Sequence, residues 1–322
     1  MIIQNPKTYK GQEIETIFFR PSFCGASAQE LGIRVLYNMP MPTTVQVWSH
    51  AENALQPFSS GWSGKNLSNK CQKVIEMNKV KAENSFSAED YFSMIFEKIT
   101  NSAEVSLGDL TGTELEKAET ELFRKSIAEN VRTTMWLGDT TGSLSPFRTF
   151  DGFLTAISRS HDAGTNISCV TYDNIEDAET GAAALLACWN NASTELHSLR
   201  SEGNLAYFVS SNIYNQYLAD LDEKGCDAAY LNAINGHEQL YFRGIPVIEV
   251  PLDKYDKEYF TTFCVLTDRR NLVLALNTAD MPENEVRMWY NPDEMENRQR
   301  ATFLAGTAII DDNLVSAMFT KY

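Results

Sequence analysis

No apolar run in this 322-residue chain approaches the ~20 residues that a membrane-crossing helix needs, so no helical span is expected. Its first residues, Met1-Ile2-Ile3-Gln4-Asn5-Pro6-Lys7, lack a basic start followed by an apolar stretch, and no secretory signal is expected. The six cysteines, Cys24, Cys71, Cys169, Cys188, Cys226 and Cys264, include no Cys-x-x-Cys pair. That leaves zinc ribbons, redox pairs and disulfide frameworks without a pattern, and reduced, mostly buried thiols are expected. The four histidines, His50, His161, His197 and His237, show no metal-ligand spacing. A Gly-x-Ser-x-Gly elbow is missing. Gly61-Trp62-Ser63-Gly64-Lys65 imitates the end of a phosphate loop, but Ser59 stands at the first-glycine position and Asn66 follows the lysine. Basic residues are also scarce. There are 27 Lys and Arg against 43 Asp and Glu, a formal net charge of −16. A protein that clamps a phosphate backbone needs the opposite balance. The acidic groups Asp253/Asp256/Glu258, Asp293/Glu294/Glu296 and Asp311/Asp312 are expected in solvated loops. No catalytic residue, cofactor site or metal site is expected.

What is present is architectural. The hydrophobic content of 43% suffices for one large domain or two intertwined ones. Residues 113–137 read as one long amphipathic helix. Thr113 with Glu116 forms a capping box. Leu122, Phe123, Ile127, Val131 and Met135 recur at helical spacing and are assigned to the buried face. Glu116, Glu121, Lys125, Glu129 and Arg132 form the opposite, charged face. Gly138 stands where a left-handed glycine ends a helix, opening the turn Gly138-Asp139-Thr140-Thr141-Gly142. Gly152-Phe153-Leu154 follows.

Upstream, residues 16–19 and 33–37 read as strands. Two longer strands, 44–50 and 73–81, enclose a Ser-, Asn- and Gly-rich stretch at 51–70 with Phe58 and Trp62 near its tip. A long loop of this kind in a compact domain is usually functional. Ser87-Ala88-Glu89-Asp90 caps a further helix through Ile99. Downstream, 178–199 reads as a helix, 204–210 as a strand feeding directly into a helix at 212–218, and 241–250 as a strand kinked at Gly244 and Pro246. Strands at 262–267 and 271–276 flank Asp268-Arg269-Arg270, and strands at 300–310 and 314–319 flank Asp311-Asp312-Asn313.

This ordered set resembles the major capsid protein of tailed bacteriophages, the Hong Kong 97-type coat fold. In that family a long spine helix ends at a glycine-rich turn resembling Gly138-Asp139-Thr140-Thr141-Gly142, with a later Gly-Ile/Leu-Leu segment resembling Gly152-Phe153-Leu154. Here Thr140 replaces the middle glycine, and residues 143–149 lengthen the connection. The strand-helix step near Val209 and the Gly244-Ile245-Pro246-Val247 segment are similar to elements of the family's axial domain.

The resemblance implies an α+β fold with an N-terminal arm at 1–42, an extended loop hairpin at 43–81, and a peripheral domain at 82–157 and 251–322. The spine helix would lie at about 114–137 and the axial domain at 158–250. It implies a late strand pair beneath the spine helix. It also implies self-assembly through pentamers and hexamers into an icosahedral phage head enclosing double-stranded DNA, without sequence-specific binding and without a membrane. A separate scaffolding protein, a portal and decoration proteins would be partners, with assembly in the host bacterial cytoplasm and residence in the virion. Trp48, Phe58, Trp62 and Lys65 are the candidates for contact with a neighbouring subunit. Two alternatives stay open at this point: a nanocompartment shell of the same fold, and a soluble α/β enzyme. The enzyme reading lacks a nucleophile, base and orienter near residues 209–212.

Overall fold

Strand-forming runs rich in β-branched and aromatic residues recur through the last third of the chain, and with earlier strands they build two sheets joined at one seam. The computed structural model describes residues 7–10, 31–37, 43–50, 60, 68–87, 114–142, 147–165, 167–171, 181–223, 240–252, 262–277 and 285–319. The first sheet comprises β1 (Lys7–Lys10), β2 (Arg34–Tyr37), β5 (Asn78–Ser87), β11 (Leu272–Asn277), β12 (Glu285–Asn291) and β13 (Glu296–Ile309). Its order is β1-β12-β13-β11-β2, with β5 antiparallel to β13 from Glu296↔Ser87 to Ala305↔Asn78. The second sheet runs β6-β14-β10-β7-β9-β8. These strands are β6 (Ser168–Thr171), β7 (Leu205–Ser210), β8 (Leu240–Phe242), β9 (Ile245–Val250), β10 (Phe263–Asp268) and β14 (Val315–Phe319). A separate two-stranded ribbon pairs β3 (Thr43–His50) with β4 (Ser68–Ile75).

Five α-helices lie among the described residues: α1 (Glu114–Leu137), α2 (Phe153–Asp162), α3 (Gly181–Asn191), α4 (Thr194–Ser198) and α5 (Ser211–Glu223). The main core joins Phe123, Ile127, Val131 and Met135 of α1 to Phe303 and Leu274 of the first sheet and to Phe208, Phe263 and Val265 of the second. Leu185, Leu196, Tyr207, Ile213 and Leu266 form a second core beneath α3 and α5. Cys188 and Cys264, both free thiols, are buried in it. A small third core sets Ile75 and Met77 against Val273, Ala275 and Leu304 on the back of the first sheet. Strand β13 is buried without interruption from Ala301 to Gly306, because both of its faces are covered.

Several expectations are corrected by this architecture. Segments 262–267 and 271–276 do not form one sheet, nor do 300–310 and 314–319. In each couple the first strand is in one sheet and the second in the other. The 3-10 turns Arg269–Asn271 and Asp312–Leu314 carry the chain across. Each is capped by an aspartate, Asp268 to the Arg270 amide and Asp311 to the Asn313 amide, which turns the chain out of plane instead of closing a hairpin. The expected strand at 73–81 breaks at Glu76 and Met77, so 68–70 belong to β4 and not to a loop. At that break the Glu76 carbonyl crosses β13 at Gly306, where a Cβ would lie 2.1 Å from the oxygen. The 178–199 helix is interrupted at Ala192, and Ser193 caps α4 by accepting from the Leu196 amide at 3.1 Å. The kinked strand at 241–250 is a tight antiparallel hairpin, with Arg243 at φ 52 and Gly244 at φ 80. Leu122 is 61% exposed, because one helical residue is about 100° of rotation and Leu122 points away from the stripe of Phe123, Ile127 and Val131. The expected strand at 16–19, the helix from 88 to 99 and the Thr113 cap lie outside the described residues.

Candidate functional site

The end of α1 is the best-built polar site among the described residues. Thr133 and Thr134 return their hydroxyls to the carbonyls of Glu129 and Asn130 at 2.9 and 2.7 Å, so this apolar turn buries no unpaired hydroxyl. Trp136 is fully buried, 5.4 Å from Phe153 and Phe208 and 5.8 Å from Phe263 between ring centroids. It joins α1, α2 and the second sheet. Gly138 then carries the chain out. Its amide still bonds the Thr134 carbonyl at 2.8 Å, and its φ is not left-handed, contrary to the expectation. A glycine is required there for space, since a Cβ would stand 2.1 Å from the Phe150 carbonyl.

Beyond it, two carboxylates organise the turn. Asp139 accepts from the Thr141 amide and hydroxyl, each at 2.9 Å, and from the Gly142 amide at 3.0 Å. Asp151 accepts from the Thr140 amide and hydroxyl, each at 2.8 Å. Arg159 of α2 pairs with both carboxylates and donates to the Thr141 hydroxyl at 2.8 Å. The Thr307 hydroxyl of β13 donates to the Asp151 carbonyl. Burial pushes the Asp139 carboxyl up, but bonds from Thr141 and Gly142 and the Arg159 charge outweigh it and hold the group below its ordinary value. Both carboxylates are committed to one cation and to amides, so the chemistry available is that of a joint. It fixes the angle between α1, α2 and β13.

Beside α1 a cavity of about 590 Å³ opens towards β5, lined among others by Phe123, Ile127, Val131, Val80 and Phe303. Exposed Leu122 forms part of its wall. Burial raises the carboxyl of Glu119, also in the wall, above its usual range.

The β3–β4 ribbon is the second feature. Its register runs from Thr43↔Ile75 to His50↔Ser68, and Val45 and Ile75 at its base pack on the third core. Val74 is 52% exposed, and Lys73 reaches Asp312 at 3.5 Å. Trp48 lies on β3 opposite Lys70. Phe58, Trp62 and Lys65 fall outside the described residues, so the four loop candidates are not brought together here. Of the spine-helix candidates, Phe123, Ile127, Val131 and Met135 are buried and share one core.

Arg159 and its two carboxylates were not singled out from the sequence. The available signal was an aspartate just before a helix with an arginine eight residues on, which is common. Among the described residues no group of His, Cys, Asp and Glu forms a metal-ligand cluster.

Comparison with known proteins gives no matching family model and no matching curated protein. Solved structures do match. A chain of the satellite phage P4 procapsid including the size determination (Sid) protein aligns at TM-score 0.52 and 12% identity, over 92% of this chain and 97% of that one. A chain from Gordonia phage Cozz aligns at TM-score 0.52 and 12% identity, over 91% and 85%. At such identities the likeness is one of fold. This chain has the fold of those phage chains along nearly its whole length.

Proposed function

We propose that the chain is a major capsid protein, which assembles with copies of itself into an icosahedral phage head around double-stranded DNA. The observation that carries the proposal is the likeness to a procapsid chain over 92% of this chain and 97% of that one. Two further features support it. The β3–β4 ribbon pairs as a separate two-stranded unit anchored at Val45 and Ile75, the form of an arm that reaches a neighbour. The joint of Asp139, Asp151 and Arg159 locks the end of α1 to α2 and, through Thr307, to β13.

In this reading residues 1–42 are an N-terminal arm and 43–81 the extended loop. The peripheral domain takes 82–157, with α1 as the spine, together with most of 251–322. The axial domain takes 158–250 and, by strand pairing, gains β10 and β14. Pentamers and hexamers of the chain would form the shell, joined by a portal, decoration proteins and a separate scaffolding protein. Assembly would occur in the bacterial cytoplasm and the product would be the virion. The role is structural and not enzymatic. A net charge of −16 suits an inner wall that encloses a genome without gluing it. The two structures described above both come from phages, which favours a phage head over a nanocompartment shell.

Sedimentation of the concentrated chain tests this. Rings, tubes or shells are expected. A compact monomer at every salt and crowding condition would contradict the proposal.

A further inference from the structure

We propose that Arg200 and Arg243, gathered around Trp189, form a carboxylate-binding patch that takes an acidic side chain of a neighbouring copy of this chain. The inference rests on the assembly proposed above and names one contact within it.

Arg200 stands in the 3-10 turn Leu199–Glu202, and Arg243 in the turn between β8 and β9. Both are exposed. Their guanidinium carbons lie 5.6 and 5.7 Å from the centroid of the Trp189 ring, and Arg243 is also 5.7 Å from that of Phe242. Arg200 donates to the Arg243 carbonyl oxygen, and His197 holds Trp189 edge-on at 4.3 Å. Two like charges are thus fixed against one ring. Among the described residues, neither has a carboxylate within ion-pair distance. Nearby Arg270 differs, with Asp268 at 2.6 Å and Glu202 at 2.9 Å. Arg243 moreover occupies a positive φ of 52, where a side chain is disfavoured and glycine or asparagine is the ordinary choice.

An anion seated between the two guanidiniums relieves their repulsion. The planar fork of donors suits a carboxylate held by two parallel bonds. The aromatic floor supplies contact area, as Trp and Arg do at interface hot spots. The occupant follows from charge. With 43 acidic residues against 27 basic ones, every copy offers carboxylates to a cationic spot on its neighbour. A contact between unlike patches of identical subunits is the kind that closes a ring. A nucleic acid is the weaker partner, because a chain of net charge −16 repels a polyanion overall.

The test uses the full chain carrying Arg200→Lys and Arg243→Lys, which keeps the charge and presents amines. Assembled particles are treated with a carbodiimide, which takes up the water lost as an amine and a carboxylate join in an amide. Peptide mass spectrometry should find an inter-subunit amide at position 200 or 243, absent from dilute free subunits. In parallel, Arg200→Glu with Arg243→Glu should raise the concentration needed for assembly about tenfold or more, with an unchanged melting temperature. Particles that form without any inter-subunit link at either position overturn the patch and leave the capsid reading standing. The patch also fails if the charge-reversed chain assembles at the original concentration, or loses only DNA content. An unmodified chain that never assembles overturns both.

Discussion

Asn271 and Asp311 exchange two hydrogen bonds at the seam where the chain crosses twice between its sheets. The Asn271 side-chain amide donates to the Asp311 carbonyl at 2.9 Å, and the Asp311 backbone amide donates to the Asn271 side-chain oxygen at 2.8 Å. The Asn271 carbonyl also accepts from the Ile310 amide at 3.1 Å. Asn271 is only 4% exposed, and its side chain is spent on these bonds at a half-buried Asp311. Asn271→Leu would take the partner from the Asp311 amide and leave the Asp311 carbonyl with the Leu314 amide alone at 3.3 Å, a loss of about 1–3 kcal/mol. The denaturation midpoint of the free subunit should fall accordingly. A midpoint equal to that of the unmodified chain would mean that the seam is held elsewhere.

Position on α1 should sort three aspartate substitutions sharply. Ile127 and Val131 are 6% and 3% exposed in the main core, whereas Leu122 is 61% exposed. Ile127→Asp and Val131→Asp place an unpaired charge in apolar surroundings and should each cost several kcal/mol, on the order of 3–5. Leu122→Asp should stay within about 0.5 kcal/mol of the unmodified subunit, as ordinary surface changes do. Thermal unfolding of the three variants checks this, and equal losses at all three positions would refute the packing.

Asp139 and Glu119 should titrate with opposite effects. The folded chain binds fewer protons at Asp139 than the unfolded chain does, because its carboxyl is held low. Its stabilising contribution is present above the unfolded value of about 3.9 and is lost as pH falls through the folded value. Asp139→Asn should therefore destabilise at neutral pH and match the unmodified chain in acid. The loss should be modest and sensitive to salt, since the side chain is 37% exposed. Burial raises Glu119 instead, so its ionisation costs stability above its unfolded value of about 4.3. That cost fades as pH falls through both values. Glu119→Gln should stabilise at neutral pH and be without effect in acid. Melting temperatures measured across the acid range would expose a wrong sign in either case.

Some of this architecture was legible in the sequence. The step from β7 into α5 could be read because six buried strand residues end at Ser210 and a helical period begins at once. The spine helix was legible from the stripe of Phe123, Ile127, Val131 and Met135. Strand partners were not, because pairing is decided far along the chain. Nothing near residue 268 or 311 says that β10 and β11, or β13 and β14, will separate into different sheets. The hairpin at Arg243-Gly244 was hidden because an arginine at positive φ is not a turn signal. Gly138 was placed correctly but for the wrong physical reason, since the close approach of the Phe150 carbonyl comes from a segment 12 residues later. The joint of Asp139, Asp151 and Arg159 needed the fold of the whole turn to appear.

Removal of residues 56–65 should separate folding from assembly. The ribbon is anchored to the subunit's own core through Val45 and Ile75, on the far side of β3 and β4 from residues 56–65. The deletion should leave the melting temperature of the free subunit nearly unchanged and abolish shell formation. Limited proteolysis should cut there in free protein and spare assembled particles. A deletion variant that unfolds, or one that assembles normally, would assign the segment to the subunit core or make it dispensable.

The most direct measurement is cryo-electron microscopy of the unmodified chain at high concentration. The expected result is a closed shell or a ring of repeated subunits, with the β3–β4 ribbon of each lying across its neighbour and α1 within the wall. Fields of single compact subunits would contradict the capsid reading, and so would an assembly whose ribbons touch no neighbour.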